Sequence, residues 1–229
     1  MNTIWSTYVQ SIDTLYLSRR LRFSDRFQAQ YQSAFSIDGG SRILEIGCGP
    51  GALAQSLHRW YPCAQVSGID RDRSFIEFAR KNVPGVSFSE GDATALPFEE
   101  RSFDVTVSNT VAEHIEPALF YGEQRRVLKE NGVCLVLSAR KGIHIPAPCI
   151  AAETPWEQEL WQRAEPYFKQ THQKYHVCAY PQNEAELPRC MEQYGFREVS
   201  TAYLTIALTP DDPRCPKETA HAMFRANRQ

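Results

Sequence analysis

Five residues, Gly47-Cys48-Gly49-Pro50-Gly51, set the strongest limit on how this chain can fold. They follow an apolar run over 41–46 and precede a helical pattern over 52–60. The chain must therefore leave a buried strand, turn tightly on glycines and enter a helix. Three glycines in five residues exceed what a bare turn needs. They permit unusual φ values and let a ligand lie directly against peptide. The helix start adds unpaired N–H groups and a partial positive charge. Gly47, Gly49 and Ala52 also fit a G-x-G-x-x-A spacing, and Asp70 supplies an acid about 20 residues onward. Alone, this motif leaves NAD and other nucleotide-type ligands equally open.

The surrounding pattern alternates. Strands are expected over 41–46, 65–69, 86–90, 103–109 and 133–139, and helices over 52–60, 74–82 and 118–128. Lys129-Glu130-Asn131-Gly132 reads as the turn after a helix end, with Gly132 just past it. Strands alternating with helices predict an α/β fold: a Rossmann-like, mostly parallel sheet with helices on both faces. Ahead of the sheet, Ile4, Tyr8, Ile12 and Leu15 or Tyr16 predict one amphipathic helix over 3–17, and Phe27, Tyr31 and Phe35 a second over 24–36. After Lys141 the rhythm changes. A loop over 142–155, helices over 157–169 and 183–194, a strand over 196–208, a proline-rich turn over 210–216 and a final helix over 217–228 are expected. The chain reads as one domain: a helical cap over 1–40, a core over 41–140, and a lid and sheet-completing region over 141–229.

Acids stand where the first three strands end. Glu45 precedes the glycine turn, where a carboxylate would repel a pyrophosphate. Asp70 ends the second strand, placed to accept both hydroxyls of a ribose; the ordinary alternative is a helix cap. Asp92 follows the third strand as an acceptor-only group; the ordinary alternative is a turn Asp bonding its own backbone.

Glu45 with Gly-Cys-Gly-Pro-Gly resembles the first motif of the class I S-adenosylmethionine (SAM)-dependent methyltransferases, in the branch that includes ubiquinone-type and other small-molecule enzymes. Leu96-Pro97-Phe98, Phe103-Asp104-Val105, Glu113-His114-Ile115 and Arg126-Val127-Leu128-Lys129-Glu130-Asn131-Gly132 resemble later segments of that family, in order. The resemblance covers about residues 41–140. It implies SAM as methyl donor, with S-adenosylhomocysteine as product, and in-line methyl transfer to an unidentified small-molecule acceptor. It implies that Glu45 holds the amino end of the methionine moiety, beside Gly47, Cys48, Gly49 and Gly51. Asp70, with Arg71 beside it, takes the ribose; Asp92 and the Ala93 backbone take adenine; Asn109 lies under the sulfonium. Tyr8 and Tyr16 are candidates to close over the ligand, where aromatic faces favour a sulfonium, and Arg22 to pair with its carboxylate. The plain alternative leaves the Arg19-Arg20-Leu21-Arg22 end of that helix in solvent. His114 is the candidate general base, against a packing role. The family usually ends its sheet with an antiparallel strand pair; only 196–208 offers a candidate.

Composition excludes other classes. The net charge of −2 over 229 residues offers no field for nucleic acid or anionic lipid. No apolar run is long enough for a membrane span, and no signal peptide is recognisable. Seven cysteines form no CxxC pair, which argues against zinc or a disulfide framework and for the cytoplasm. His172 and His176 lack a third ligand, so no metal is expected. The rival functions are a NAD(P)-dependent oxidoreductase, opposed by Glu45 and Asp92, and a SAM-binding module without catalysis. Oligomeric state is open.

Overall fold

The computed structural model describes residues 5–138, 154–206, 217–218 and 220–222. Residues 142–153 of the loop expected over 142–155, the turn over 210–216 and most of the last helix lie outside the described residues. Helices α1 (Trp5–Tyr8) and α2 (Ile12–Arg22) replace the single helix expected over 3–17. Ser11 divides them: its side chain accepts from the Thr14 N–H, so a new helix starts there. Asp13 in the first turn of α2 and Arg19, Arg20 and Arg22 in the last suit its dipole. A 3-10 turn (Asp25–Phe27) leads into α3 (Gln28–Phe35), where Tyr31 and Phe35 are buried.

Strand β1 (Arg42–Ile46) is followed by α4 (Ala52–Trp60), β2 (Gln65–Asp70), α5 (Arg73–Asn82), β3 (Ser87–Glu90), β4 (Phe103–Asn109), α6 (Pro117–Val127) and β5 (Leu128–Leu137). The strands form one sheet in the order β3-β2-β1-β4-β5, every pair parallel. The chain winds outward from β1 to β3, then returns to place β4 on the other side of β1. That reversal opens a crevice above the carboxyl ends of β1 and β4, where sheets of this kind take ligands.

Alternation along the strands builds two cores. Ile43, Val66, Val105 and Val107 pack with Leu53, Leu57, Ile76 and Phe88 on one face. Leu44, Ile46 and Ile69 pack with Phe120, Tyr121, Val127 and Met191 on the other. Helices α4 and α5 therefore cover one face and α6 the other, as expected. Burial on both faces explains why β1 reads as a nearly continuous apolar run.

Three expectations are corrected. The turn at Lys129–Gly132 lies inside β5, as a bulge: Phe103 pairs with Leu128, but Val105 pairs with Val133. Asn131, not Gly132, takes the left-handed conformation, at φ 64°; Asn tolerates it through local hydrogen bonding. Residues 196–206 form no strand. Phe196 and Val199 pack on one core, while Leu204 and Ile206 pack on the other. The segment thus passes from one core to the other, and among the described residues no partner strand runs beside it for its backbone to build a ladder with. Finally, α7 (Pro155–Lys174) outruns its expected span. Thr154 and Glu157 form a reciprocal capping box at its start. The last described long helix is α8 (Glu186–Gln193), on which Met191 is buried.

Candidate functional site

The glycine loop sits at the rim of the crevice, tied to its neighbours. The N–H groups of Gly47 and Cys48 donate to the Ile69 carbonyl at 2.8 and 3.0 Å, and that of Gly51 to the Cys48 carbonyl at 3.0 Å. Gly47, Gly49 and Gly51 all have positive φ, at 68°, 52° and 85°, which only glycine adopts without strain. A Cβ on Gly47 would meet Val111 Cγ2 at 2.5 Å. The loop therefore exposes bare peptide because both its conformation and its neighbours forbid side chains.

Behind the loop stands Glu45, 3% exposed. Burial pushes its carboxyl well above the usual range; an Ala54 N–H bond opposes this, Asp70 adds to it and Arg19 opposes it. Its Oε2 has no hydrogen-bond partner, an exception among buried polar atoms. The Cys48 thiol is buried too and pushed well upward, first by desolvation, then by Asp70 and Glu45.

Asp70, at the end of β2, pins the loop. Its Oδ2 accepts from the Gly49 N–H at 2.8 Å, and its Oδ1 from the Asp72 N–H at 2.8 Å. Burial pushes its carboxyl up to about 6 despite those two bonds. A carboxylate has about four acceptor sites, so two remain for a ligand diol. Helix capping falls instead to Asp72, which accepts from the Ser74 N–H at 3.0 Å.

Asp92 lies on the same rim. Gly91 before it donates to the Asp70 carbonyl at 3.0 Å. Its Oδ1 accepts from the N–H and hydroxyl of Thr94, both at 2.8 Å, the self-bonding turn geometry. Ala93 beside it is half-buried against the α6-side core. Arg71 is exposed, with its guanidinium 5.9 Å from the Trp5 ring centre.

On the β4 side, Asn109 pairs with Leu137 at the strand end. The next residue, Thr110, has φ 53°, an outlier for a β-branched residue. Such strain costs about 1–3 kcal/mol and persists only where surroundings enforce it. Here the Thr110 N–H donates to the Leu137 carbonyl at 2.8 Å, and its hydroxyl accepts from Arg19 Nη2 at 2.8 Å.

Arg19 is the residue that sequence reasoning missed. It belongs to the stretch read as solvated, yet burial lowers its guanidinium to about 10, with Arg22 next in effect. It points at the crevice, between Thr110 and the charge of Glu45. The available signal was its place one turn after Leu15, which is buried and faces Gly49. Arg22 lies near enough to Arg19 and Tyr31 to affect both, but Thr110 is held by Arg19. Tyr16 donates to Gln55 Oε1 at 3.1 Å and packs edge-on against Phe78. Tyr8 is 58% exposed and stacks on Tyr175 at 5.6 Å.

Helix α1 packs over the strand exits through Trp5 and Ser6. The Trp5 ring meets His114 edge-on at 4.9 Å and lies by Arg71, joining the exits of β4 and β2. Ser6 donates to Asp72 through its N–H at 2.8 Å and its hydroxyl at 3.1 Å. His114 ends a 3-10 turn, and its Nδ1 accepts from the Cys178 N–H at 2.8 Å. An accepting Nδ1 leaves the neutral ring's proton on Nε2.

The methyltransferase domain family matches residues 44–136, from mid-β1 into β5. A fatty-acid O-methyltransferase of Mycolicibacterium smegmatis is 39% identical over 125 residues, covering 53% of this chain and 42% of that protein. A phthiotriol/phenolphthiotriol dimycocerosates methyltransferase of Mycobacterium ulcerans is 35% identical over 141 residues, covering 59% and 49%. The chain thus spans about half the length of the curated relatives it matches. Among solved structures, a SAM-dependent methyltransferase from Aquifex aeolicus shares the fold at TM-score 0.56 and 18% identity, over 79% of this chain and 83% of that one. One from Thermotoga maritima, described as a possible histamine N-methyltransferase, aligns at TM-score 0.55 and 23% identity, over 85% and 81%. The strand order, the left-handed glycine loop and this match agree over the core at residues 44–136, which is similar to the methyltransferase domain family.

Proposed function

We propose that the protein is a SAM-dependent methyltransferase acting on a small organic acceptor. The observation that carries this reading is the buried Glu45 carboxyl, with Oε2 unpartnered, directly behind a loop of three left-handed glycines. A pyrophosphate at that place would face a carboxylate; the ammonium of an amino acid would supply the missing donor. SAM, when bound, supplies a methyl group on a positively charged sulfur.

The chain's own groups would bind and orient. Gly47, Cys48, Gly49 and Gly51 present bare peptide. Glu45 accepts from the amino group, and Arg19 lies close enough to pair with the neighbouring carboxylate, the part expected of Arg22. Asp70 accepts ribose hydroxyls while keeping the loop in place. Asp92 and the Ala93 backbone take the adenine edge, Asp92 with the oxygen that Thr94 does not occupy. Asn109 and Thr110 form the floor where donor and acceptor meet. Trp5 and Arg71 roof the crevice, and Tyr8 stands at its outer edge. Holding two reactants in line is worth roughly 7–11 kcal/mol in favourable cases, so the reading needs no obligatory catalytic side chain. His114 stands beside Trp5 at the β4 exit, where it remains the candidate general base.

The whole chain would work as one domain, with 1–40 as cap, 41–140 as core and 141–229 shaping the acceptor side. Among the described residues no helix is long and apolar enough to cross a membrane. The described cysteines are all thiols, which suits a cytoplasmic protein. A net charge of −2 gives no reason to invoke nucleic acid.

Titration calorimetry with SAM, S-adenosylhomocysteine and NAD tests the cofactor. Binding of both adenosyl species, lost on Asp70→Ala, is expected; NAD binding without either would overturn the reading. A methyl-labelled SAM screen over small acids, alcohols and amines then separates an enzyme from a non-catalytic SAM binder.

A further inference from the structure

We propose that α7 is a homodimerisation arm, pairing antiparallel with α7 of a second copy about a two-fold axis at Ala164. None of its twenty residues is buried, yet Trp156, Leu160, Trp161, Tyr167 and Phe168 are 68, 48, 59, 73 and 50% exposed. Leu160, Trp161, Ala164, Tyr167 and Phe168 fall on one face at 100° per residue, while Pro166 falls on the opposite face. A helix interrupted by proline does not sustain itself in water through propensity alone. It draws its stability from covering such a stripe, and large exposed apolar patches mark interaction surfaces.

The pattern is complementary to itself. An isologous pair demands that residue i of one copy meet j of the other while j meets i. In an antiparallel pair centred on Ala164, Trp161 meets Phe168 along one flank and Leu160 meets Tyr167 along the other. Ala164 meets its own copy, a side chain small enough for close helix approach. Charge agrees: Glu157 lies in the first turn and His172 and Lys174 in the last, so the acidic end of each copy faces the basic end of the other. Glu165, which flanks the centre, is already neutralised by Lys169 at 2.8 Å. An open groove of about 410 Å³ runs along one flank of the same stripe, lined by Trp161, Gln162, Glu165, Phe168, Lys169 and His172. Large aromatic side chains bury about 150–250 Å² each. With half or more of that still exposed, the pair covers on the order of 1,000 Å², the lower bound for a specific interface. The dimer is therefore expected to be reversible.

The test uses the residue that meets itself. Sedimentation velocity of the full chain, up to on the order of 100 µM, should show a monomer–dimer equilibrium. Ala164→Glu and Ala164→Lys each set like charges against themselves on the axis, so each alone should be monomeric over that range, with circular dichroism of the folded protein unchanged. Mixed one to one, they should dimerise again, because the carboxylate introduced in one variant now faces the ammonium introduced in the other. A second pair, Trp161→Ala and Phe168→Ala, should each weaken association at least about tenfold. A monomeric wild type, a dimer indifferent to residue 164, or a mixture no more associated than its components would overturn the proposal. So would capture of the wild type by neutral phosphatidylcholine vesicles with no self-association, which would assign the stripe to a lipid surface instead.

Discussion

The protonation of Asp70 is coupled to the stability of the fold, and pH reads that coupling. Burial raises its carboxyl from 3.8 to about 6, against hydrogen bonds from the Asp72 and Gly49 N–H groups. Between those values the folded protein keeps a proton that the unfolded chain has released. The group's contribution is therefore fully present below about pH 4 and is lost as pH rises through about 6. At about 1.36 kcal/mol for each pH unit between the two values, the loss is about 3 kcal/mol. Asp70→Asn removes the titration and costs one backbone hydrogen bond, a pH-independent offset of about 1 kcal/mol. Differences between wild type and variant cancel the titrating groups that Asp70 does not touch; Glu45 does not cancel, because Asp70 adds to its raised carboxyl, so Asp70→Asn relieves it and moves the difference in the same direction. The stability difference should thus swing by about 3 kcal/mol between pH 4 and pH 7, the variant gaining as pH rises. For a chain of this size that is roughly 6–12 °C in relative Tm. Scanning calorimetry of both proteins without ligand measures it. A difference constant within about 2 °C over that range would refute the buried-carboxylate reasoning, whatever the variant does to SAM binding.

Gly47→Ala should cost about 1–3 kcal/mol, because the new Cβ meets Val111 at a positive φ; adding Val111→Ala should recover part of the loss, and strict additivity in denaturant melts would contradict the steric account. Arg19→Met should weaken SAM binding about tenfold or more while Arg22→Met changes it far less, since Arg19 alone of the two reaches Thr110; equal effects in calorimetry would count against the assignment. Trp5→Ala should weaken SAM binding with little change in Tm, because the Trp5 ring packs against Arg71 and His114 at the mouth of the crevice; an unchanged affinity would remove α1 from the site. His114→Gln should keep most methyl transfer, since the ring packs against Trp5 and accepts from the Cys178 N–H; loss of about 100-fold or more would make it the general base.

How much was legible depended on the range of the interactions involved. The glycine loop, the strand–helix alternation and the acids on the rim were legible because each is written in a local pattern: a φ requirement, a two- or 3.6-residue period, a strand end. Glu45 and Asp70 came out beside the loop as expected. Asp92 came out on the rim, but with one oxygen turned back on Thr94. The strand expected over 196–208 was misjudged over 196–206 because alternation shows only that a segment can pair, and among the described residues no partner runs beside it.

By itself the sequence determined the parallel α/β core and the glycine turn after its first strand, since strand–helix alternation and a φ requirement are local patterns; the strand order, and with it the crevice at the reversal beside β1, belongs to the tertiary structure. Only the tertiary structure decided which arginine enters the crevice, that Trp5 roofs it and that the Glu45 carboxyl is driven toward neutrality. Those outcomes rest on contacts such as Ser6 with Asp72 and Arg19 with Thr110, which span 66 and 91 residues of chain. Burial and charge at such contacts are properties of the packed sheet, and local periodicity carries no record of them.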